Sequence, residues 1–506
     1  MNFLRRVLAP TYYLHFFVLS LSFTACSTNR DKLAVEEGKI LVTKYCGNCH
    51  IVPDPALLDK STWLTSVLPA MAERLGIEVL QDNFYLHGKQ SVISHSDWSK
   101  ILKYYETLAP DTLPPGKPDP KLAHDWAVFS LLKPVEQPDL TSSTMLVAID
   151  TATKSIVTSN SEKPGLYRFD QQFNAKGMTP LQSAAIDISF PPKATDPDMV
   201  TCMGGMRALD GTLGQILAVD KKTQRKPKLI SSEMIRPIQS TPVDYNKDGL
   251  MDYAVCAFGH NLGGLYLLKQ LPDHTFQKVP IREVPGATIS YIRDFNSDGW
   301  PDIITLFAHG DEGIWTFTND RKGGFVARNL LRFPPIYGSS SFQLADMNHD
   351  GKEDIVYTAG DNSDYSRVLK PYHGLYIFTQ SDHFEFKQTF FYPINGCTKA
   401  MVSDFDKDGD TDIATIAFFP DLKNKPDESF TYFEQNNTDK TFKAHAIPVH
   451  QDGRWICMDV NDFDGDGDDD IILGNYSRGF LNQEQVKPSW NVHLPFIVLK
   501  NNTIQP

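Results

Sequence analysis

Five copies of one acidic loop, spread over the second half of the chain, constrain its fold more than any other feature of the sequence. The first copy runs from Asp244 to Asp252 and reads Asp-Tyr-Asn-Lys-Asp-Gly-Leu-Met-Asp, with oxygen-bearing side chains at positions 1, 3, 5 and 9. The first residues of successive copies lie 50, 52, 58 and 58 residues apart. A period of that size indicates repeated β units, for which a closed propeller is the favoured arrangement.

The oxygen pattern of these loops fits calcium. Alternating side-chain oxygens on a tight loop wrap a hard cation, the Gly at position 6 allows the sharp turn, and position 7 adds its backbone carbonyl. An EF-hand needs a bidentate Glu at position 12, and the residues found there are Val255, Thr305, Tyr357, Thr415 and Leu473. Each loop instead continues directly into an apolar strand. The predicted ligands of about five calcium ions are Asp244, Asn246, Asp248, Asp252, Asp294, Asn296, Asp298, Asp302, Asp346, Asn348, Asp350, Asp354, Asp404, Asp406, Asp408, Asp412, Asp462, Asp464, Asp466 and Asp470.

Two degenerate copies precede the five clear ones. Asp187, with Asp196 and Asp198 after it, lies 57 residues before Asp244, and residues 147–150 look like a further strand and turn without the cation site. Together they predict an all-β propeller of seven blades over residues 141–502, with six or eight blades as alternatives. The segment 494–499 would supply the strand that closes the ring.

The acidic loop, its following strand and the aromatic-Gly segment Ala257-Phe258-Gly259 resemble the FG-GAP (VCBS-type) repeats of integrin-type propellers. The resemblance extends over the second part of the chain and is close in the loop residues of five repeats, whereas the Phe-Gly part is clear in one. It implies that the loops lie on one face of the disc. It also implies that calcium stabilises the blades and has no catalytic role.

The N-terminal part carries a second specific motif, Cys46-Gly47-Asn48-Cys49-His50, which is the attachment signature of c-type haem. Its thiols would bond the haem covalently and His50 would bind the iron from one side. A thioredoxin-like redox pair or half of a zinc site are the alternatives. Zinc needs further ligands, and no cysteine follows the motif before Cys202.

Helical patterns before and after the motif suggest a small domain. Residues 33–45 predict an amphipathic helix in which Gly38 permits close approach of a partner, and residues 97–108 predict that partner, capped by Ser96 and stopped by Pro110. The order of helix, motif and closing helix resembles the class I cytochrome c domain. We therefore expect an all-α domain over residues 30–112 with one haem c.

The sixth ligand of the iron is expected on the loop region after the motif. In the resembled family it is often a Met, and Met71 is the methionine found between the signal and Met145. His87 and His95 are the alternatives. The proline-rich stretch that begins at Leu113 predicts a linker over residues 113–140.

The first 26 residues predict an export signal. A basic start, a short apolar run and small residues precede Cys26, which resembles the lipid-modified cysteine of a bacterial lipoprotein. An ordinary cleaved signal is the alternative. We expect an exported protein, anchored by lipid in the bacterial cell envelope at its periplasmic face or surface. The cysteines Cys202, Cys256, Cys397 and Cys457 would pair within the first two and the last two, or stay as buried thiols.

Three classes of function agree with these features, and the net charge of −13 with no basic run argues against a nucleic-acid partner. The favoured class is an anchored electron-transfer cytochrome with a redox partner protein or a small-molecule electron donor. The second is a haem-linked dehydrogenase that oxidises a sugar or alcohol on the propeller face, with His260 and His309 as candidate catalytic residues. The third is an adhesion protein that binds a carbohydrate or polysaccharide.

Overall fold

The chain divides into two compact units, Met1–Leu113 and Pro114–Pro506. The structure is a computed structural model that describes residues 32–114, 122–191, 196–207, 209–221, 226–363, 367–436, 438–479 and 486–504. The predicted signal and Cys26 lie outside these residues, as does most of the proline-rich stretch after Leu113. Within these ranges no helix has the length and apolar character needed to cross a bilayer.

The N-terminal unit combines helices with one β-hairpin. Its helices are α1 (32–45), α2 (Lys60–Thr62), α3 (Leu68–Arg74) and α4 (His95–Leu108), with a 3₁₀ turn at Pro55–Leu57 and a π-helical turn at Trp63–Val67. The hairpin strands are β1 (Ile77–Leu80) and β2 (Phe84–His87), joined by a 3₁₀ turn at Gln81–Asn83.

The prediction of an all-α domain was therefore wrong in one respect. Residues 77–87 form the hairpin because Asp82 and Asn83 adopt positive φ angles of 57° and 56°, the conformation that short hairpin turns require. The cap of α4 also differs from the prediction. Ser94, not Ser96, caps the helix, and its hydroxyl accepts a hydrogen bond from the Asp97 N–H at 3.1 Å.

The crossing of α1 and α4 organises this unit, as the sequence predicts. A Cβ placed on Gly38 would lie 2.6 Å from Tyr104 Cβ and 2.7 Å from the Lys100 carbonyl oxygen, so only glycine allows this approach. The Lys100 ammonium pairs with Glu37 at 2.9 Å beside the crossing. Trp63, Trp98, Ile101 and Tyr105 are buried in the same core.

Among the described residues, the second unit forms seven four-stranded antiparallel sheets, which confirms the predicted seven-bladed propeller. The strands of blades 1 and 2 are β4 (Thr144–Asp150), β5 (Ser155–Asn160), β6 (Gly165–Phe169) and β7 (Ala175–Pro180), then β8 (Ala185–Ser189), β9 (Asp198–Cys202), β10 (Gly214–Val219) and β11 (Lys228–Met234). Those of blades 3 and 4 are β12 (Pro237–Val243), β13 (Asp252–Ala257), β14 (Gly264–Gln270) and β15 (Phe276–Arg282), then β16 (Ala287–Arg293), β17 (Asp302–Phe307), β18 (Gly313–Asn319) and β19 (Phe325–Arg332).

Blades 5, 6 and 7 complete the ring. The strands of blades 5 and 6 are β20 (Ser339–Ala345), β21 (Asp354–Ala359), β22 (Gly374–Gln380) and β23 (Phe386–Pro393), then β24 (Cys397–Ser403), β25 (Asp412–Ala417), β26 (Phe430–Gln435) and β27 (Phe442–Ala446). Those of blade 7 are β28 (Trp455–Asn461), β29 (Asp470–Asn475), β30 (Phe496–Asn501) and β3 (Phe129–Leu132). The first strand of each blade neighbours the first strand of the next, so these strands line the centre.

The ring closes with a strand from the beginning of the propeller unit. β3 pairs with β30 as the outer strand of blade 7, with Phe129 opposite Asn501 and Leu132 opposite Val498. The propeller thus includes part of the segment predicted as linker, and the predicted closing strand at 494–499 is the third strand of blade 7 instead. Just before β3, Ala123 pairs in parallel with His445 on the outer edge of blade 6.

Each blade is joined to the next by at least one hydrogen bond in which a side chain is the donor or the acceptor, at donor–acceptor distances between 2.6 and 3.1 Å. In blade order the pairs are Ala185 N to Ser159 Oγ, Ser240 N to Asp187 Oδ2, Ser290 N to Gln239 Oε1, Tyr291 Oη to the Phe342 carbonyl, Val402 N to Gln343 Oε1, Lys399 Nζ to the Met458 carbonyl, and Ile149 N to Asp459 Oδ2. These bonds satisfy buried polar groups at the seams, which hydrophobic packing alone would leave unpaired.

The propeller cysteines are free thiols. Of the two alternatives, disulfide pairs or unpaired thiols, the structure therefore has unpaired thiols. Cys202, Cys256 and Cys397 are buried and Cys457 is half-buried, each on a different blade. They pack as small apolar side chains in the blade cores.

We expect Gly38→Ala to destabilise the N-terminal unit by about 1–3 kcal/mol, the usual cost of forcing atoms into a filled core. Hydrogen–deuterium exchange of peptides covering residues 32–45 and 95–108 should show faster exchange than in the unmodified chain. The matched control is Gly88→Ala, because a Cβ at Gly88 meets nothing within 4 Å. Equal exchange in the two variants would contradict the tight crossing.

Candidate functional sites

The haem motif forms a turn directly after α1. The Cys46 and Gly47 N–H groups both donate to the Val42 carbonyl, at 2.8 and 3.3 Å, and the Cys49 N–H donates to the Cys46 carbonyl at 3.3 Å. Cys46 is half-buried and Cys49 is exposed. Burial, together with the neighbouring Cys49, raises the pKa of the Cys46 thiol to about 11. The two thiols therefore stand one turn apart at a partly open helix end.

The residues around the motif fit a covalent haem. His50 Nδ1 lies 2.8 Å from the Ile51 carbonyl oxygen. When Nδ1 donates to this carbonyl, the lone pair of Nε2 is available for a metal, which is the usual arrangement of a ligating histidine. A Cβ at Gly47 would lie 2.5 Å from the Thr43 carbonyl oxygen, so a side chain has no room between the thiols and the helix.

The candidates for the sixth ligand lie on different elements. Met71 is half-buried on α3, between the buried residues Leu68 and Ala72. His87, at the end of β2, has its ring centroid 5.2 Å from that of His95 at the start of α4. The His87 Nε2 atom is buried without a hydrogen-bond partner among the described residues. His87 thus remains the stronger of the two histidine alternatives to Met71.

The five predicted calcium loops share one geometry. Each connects the first and second strands of blades 3 to 7. The first Asp accepts a hydrogen bond from the N–H of the Gly at position 6, at 2.7–3.2 Å in all five. The Asp at position 5 accepts from the N–H at position 7, at 2.8–3.2 Å. Positive φ angles at positions 4 and 6 turn the backbone so that these oxygens converge.

The last Asp of each loop is a buried carboxylate. These residues begin the second strands and are at most 1 % exposed: Asp252, Asp302, Asp354, Asp412 and Asp470. In each, Oδ1 accepts the N–H of the last residue of the third strand, at 2.7–2.8 Å. In four of them, Oδ2 also accepts the N–H at position 2 of the loop, at 3.1–3.2 Å. The carboxylate therefore joins the loop to the third strand of its own blade.

The charge of these loops fits a bound cation. Burial, opposed by the backbone hydrogen bonds and supported by neighbouring carboxylates, raises the pKa of Asp412 and of Asp470 to about 7. Among the described residues, one oxygen each of Asp404, Asp406 and Asp408 lie within 4.8 Å of one another. One oxygen each of Asp462, Asp464 and Asp470 also lie within 4.8 Å of one another.

The carboxylate oxygens of these loops that are buried without a hydrogen-bond partner among the described residues include Asp252 Oδ2 and Asp404 Oδ1. Buried, unpaired carboxylates of this kind are retained in proteins when a metal completes them.

Blades 1 and 2, which lack the loop signature, contain a buried ion network at the same level. The Arg168 guanidinium contacts Asp198 and lies 3.2 Å from Asp150 Oδ2. The Lys221 ammonium lies 3.2 Å from a carboxylate oxygen of each of the same two residues. Asp198 begins β9 just as the last loop Asp begins the second strand in the other blades. Two side-chain cations therefore compensate these two buried carboxylates across the seam between blades 1 and 2.

The degenerate copy begins later in the chain than the sequence interpretation placed it. Asp187, predicted at the start of a loop, lies within β8, and its Oδ2 accepts the Ser240 N–H at 3.1 Å. Burial raises its pKa to about 6. Arg168 and Lys221 were not identified from the sequence because nothing in their spacing relative to Asp150 and Asp198 repeats elsewhere in the chain.

His260 and His309 approach each other, as their positions in adjacent blades predict. Their ring centroids are 5.4 Å apart, and both side chains are half-buried. The backbone N–H groups of His260 and the two following residues donate to Asp210 at 2.8–3.0 Å, which orders this loop. Asp311 is held by Arg282 and Arg332. Within the described chain, no third carboxylate, thiol or imidazole joins the pair at metal-ligand distance.

Two stretches of the propeller match a known repeat family. The FG-GAP-like repeat family matches residues 294–357 and 404–473, which contain the loops of blades 4, 5, 6 and 7. The chain is also 25% identical over 233 residues to the T-cell immunomodulatory protein homolog of Plasmodium falciparum (isolate 3D7). That match covers 36% of this chain and 32% of the relative, so it spans about a third of the length of the curated protein.

Solved structures with a similar arrangement share little sequence with the chain. A chain from the S. cerevisiae Dbp5 complex with Nup159, Gle1 and ADP matches with a TM-score of 0.43 and 11% identity, over 76% of this chain and 98% of that one. A chain from BBS1N in complex with ARL6DN matches with a TM-score of 0.42 and 10% identity, over 74% and 98% of the two chains. These likenesses bear on neither the sites nor the function.

We expect Lys221→Met to destabilise the propeller by about 3–5 kcal/mol, the usual cost of breaking a buried charge network from one side. Thermal unfolding in excess calcium should show a lower Tm than for Lys228→Met, a control at an exposed position of blade 2. The double variant Lys221→Met/Asp198→Asn should recover part of the loss, because it also removes the carboxylate left unpaired. Equal Tm values for Lys221→Met and Lys228→Met would contradict the network.

Proposed function

We propose that this protein is an exported, membrane-anchored c-type cytochrome that transfers single electrons through a covalent haem. Its propeller, stabilised by calcium, binds a partner or ligand. The observation that carries the proposal is the Cys46–His50 turn at the end of α1, with His50 Nδ1 engaged by a backbone carbonyl and Nε2 left for a metal.

Each residue of the motif has a defined part in this proposal. Cys46 and Cys49 would hold the haem covalently, and His50 and Met71 would be the ligands of its iron. The haem would supply the one-electron redox chemistry. Because a thioether ligand favours the reduced state, the choice of Met71 over His87 would raise the reduction potential.

The propeller loops support the second half of the proposal. FG-GAP-like repeats on a seven-bladed scaffold indicate ligand or partner binding, since such scaffolds present loops on rigid strands. Five calcium ions in blades 3 to 7 would neutralise the carboxylates of those loops. Export through the signal at residues 1–26 and a lipid on Cys26 would place both units in the cell envelope.

A second candidate function is supported by one observation. The imidazoles of His260 and His309 lie 5.4 Å apart on the propeller face opposite the calcium loops. Two partly exposed imidazoles can exchange protons with a substrate hydroxyl near neutral pH. In a haem-linked dehydrogenase these imidazoles would accept protons from a sugar or alcohol, and the two electrons released would pass one at a time through the haem to an external one-electron acceptor.

Expression with a c-type haem maturation system tests the electron-transfer proposal. We expect denatured, washed protein to retain haem absorbance, and we expect Cys46→Ala/Cys49→Ala to lose it while Cys457→Ala does not. In the oxidised protein, a sulfur-to-iron charge-transfer band should disappear in Met71→Ala and persist in His87→Gln.

Two results would contradict these assignments separately. Absence of covalent haem in the unmodified protein, with folded propeller, would end the cytochrome proposal. Loss of the native ferric spectrum in His87→Gln but not in Met71→Ala would transfer the ligand role to His87. Haem reduction by a sugar or alcohol, abolished in His260→Ala and His309→Ala, would instead favour the dehydrogenase.

Chelation tests the calcium proposal. A site occupied at about 100 times its Kd stabilises the folded state by about 2.7 kcal/mol, so removal of calcium should lower the Tm strongly. Hydrogen exchange should then rise in the loops of blades 3 to 7 but not around Asp150 and Asp198, where side chains supply the positive charge. An unchanged melting curve in chelator would refute a structural role for calcium.

A further inference from the structure

A cavity of about 170 Å³ opens at the seam where blade 7 meets blade 1. Its walls come from β5 and β6 and from the residues just before β4 and β30. The volume is below the roughly 300–1,000 Å³ typical of sites for drug-sized ligands. The cavity is therefore of the size for one small ring.

One wall of the cavity is apolar and rigid. Phe169 and Tyr167 lie on it, with Leu140 and Pro495 beside them. The Phe169 ring packs against Phe496 with centroids 5.4 Å apart, and the Tyr167 hydroxyl donates to the Lys163 carbonyl at 2.9 Å. Both rings are thus held in place by the protein and present a fixed surface to the cavity.

A hydroxyl stands beside this wall. Thr158 is 6 % exposed, lines the cavity and is the strand partner of Tyr167 in the β5–β6 pairing. The neighbouring hydroxyls are engaged within the protein: Ser142 donates to the Asn475 carbonyl and Thr144 to the Pro495 carbonyl, each at 2.7 Å. The Thr158 hydroxyl is thus a polar group of the lining that a ligand in the cavity can reach.

Further polar groups at the cavity are available for a ligand. Asn160 Oδ1 accepts the Lys163 N–H at 2.8 Å, which leaves its Nδ2 donor without a partner among the described residues. His493 Nδ1 lies 3.2 Å from the Leu140 carbonyl oxygen, so Nε2 is the ring nitrogen left to contact a ligand. Lys163 brings an ammonium group to the lining, and no Asp or Glu belongs to the lining. The site is therefore suited to a ligand with several hydroxyls and a negative charge.

We propose that this seam cavity binds a single hexuronic acid unit, either free or at the end of an acidic polysaccharide. The C–H face of the sugar ring packs on Tyr167 and Phe169. Its hydroxyls bond with Thr158 and Asn160, and its carboxylate pairs with Lys163. The site uses neither the haem motif nor the calcium loops, so it is independent of the electron-transfer proposal.

Titration calorimetry on the full chain in calcium tests the proposal, with D-glucuronate, D-galacturonate, D-glucose, D-galactose and acetate as probes. We expect saturable binding of at least one uronate, weaker binding of its neutral counterpart and none of acetate. Thr158→Val should weaken the binding of both the uronate and the neutral sugar by about two- to tenfold, the range expected for one hydrogen bond. Lys163→Gln should weaken only the uronate.

The matched control is Thr305→Val. Thr305 occupies the same strand position in blade 4, and its hydroxyl is buried without a partner, but it does not line the cavity. The affinity of the Thr305→Val variant for the uronate should equal that of the unmodified chain. No saturable binding of any sugar, or equal loss in Thr158→Val and Thr305→Val, would overturn the proposal. Stronger binding of an oligouronide than of the single unit would identify a polysaccharide end as the natural ligand.

Discussion

A buried aspartate at the start of the second strand is the interaction on which most blades of this propeller depend. Its carboxylate accepts the last N–H of the third strand in blades 3 to 7. In three blades the last residue of the third strand also contacts the loop of the preceding blade through its side chain. The side-chain amides of Asn319, Gln435 and Asn501 donate to backbone carbonyls of those loops at 2.8–3.1 Å. The acidic loops are therefore part of the seams between blades as well as of the blades themselves.

Burial of so many carboxylates requires positive charge, and the protein meets this requirement in two ways. In blades 1 and 2 the charge is built into the chain as Arg168 and Lys221. In blades 3 to 7 the side-chain cations differ from loop to loop: Arg321 lies 2.6 Å from Asp298 in blade 4, and Lys352 lies 3.7 Å from Asp350 in blade 5. In blade 7, Lys500 contacts Asp464 and lies 3.5 Å from Asp466. The remaining compensation is what the proposed calcium ions would supply. Charge compensation thus differs from blade to blade within one repeated geometry.

Ring closure separates the structural and the functional parts of the propeller. β3 completes blade 7 from the beginning of the unit, so strands from both ends of the propeller sequence meet at the seam with blade 1. This seam is also where the cavity opens, with Thr158 in its lining. An irregular junction in a regular scaffold is a natural place for a binding site.

The sequence by itself determined the features that depend on residues close together in the chain. Nine consecutive residues contain a complete set of loop oxygens, so the acidic loops, their spacing and the propeller were readable. The helix that leads into the Cys46–His50 motif was also readable, whereas the haem and the calcium ions stay predictions. Only the tertiary structure decided which strand closes the ring, that Asp82 and Asn83 turn a hairpin, and that Arg168 and Lys221 meet Asp150 and Asp198. Such contacts join residues far apart in the chain or depend on a few φ angles, and they leave no periodic signal because nothing repeats.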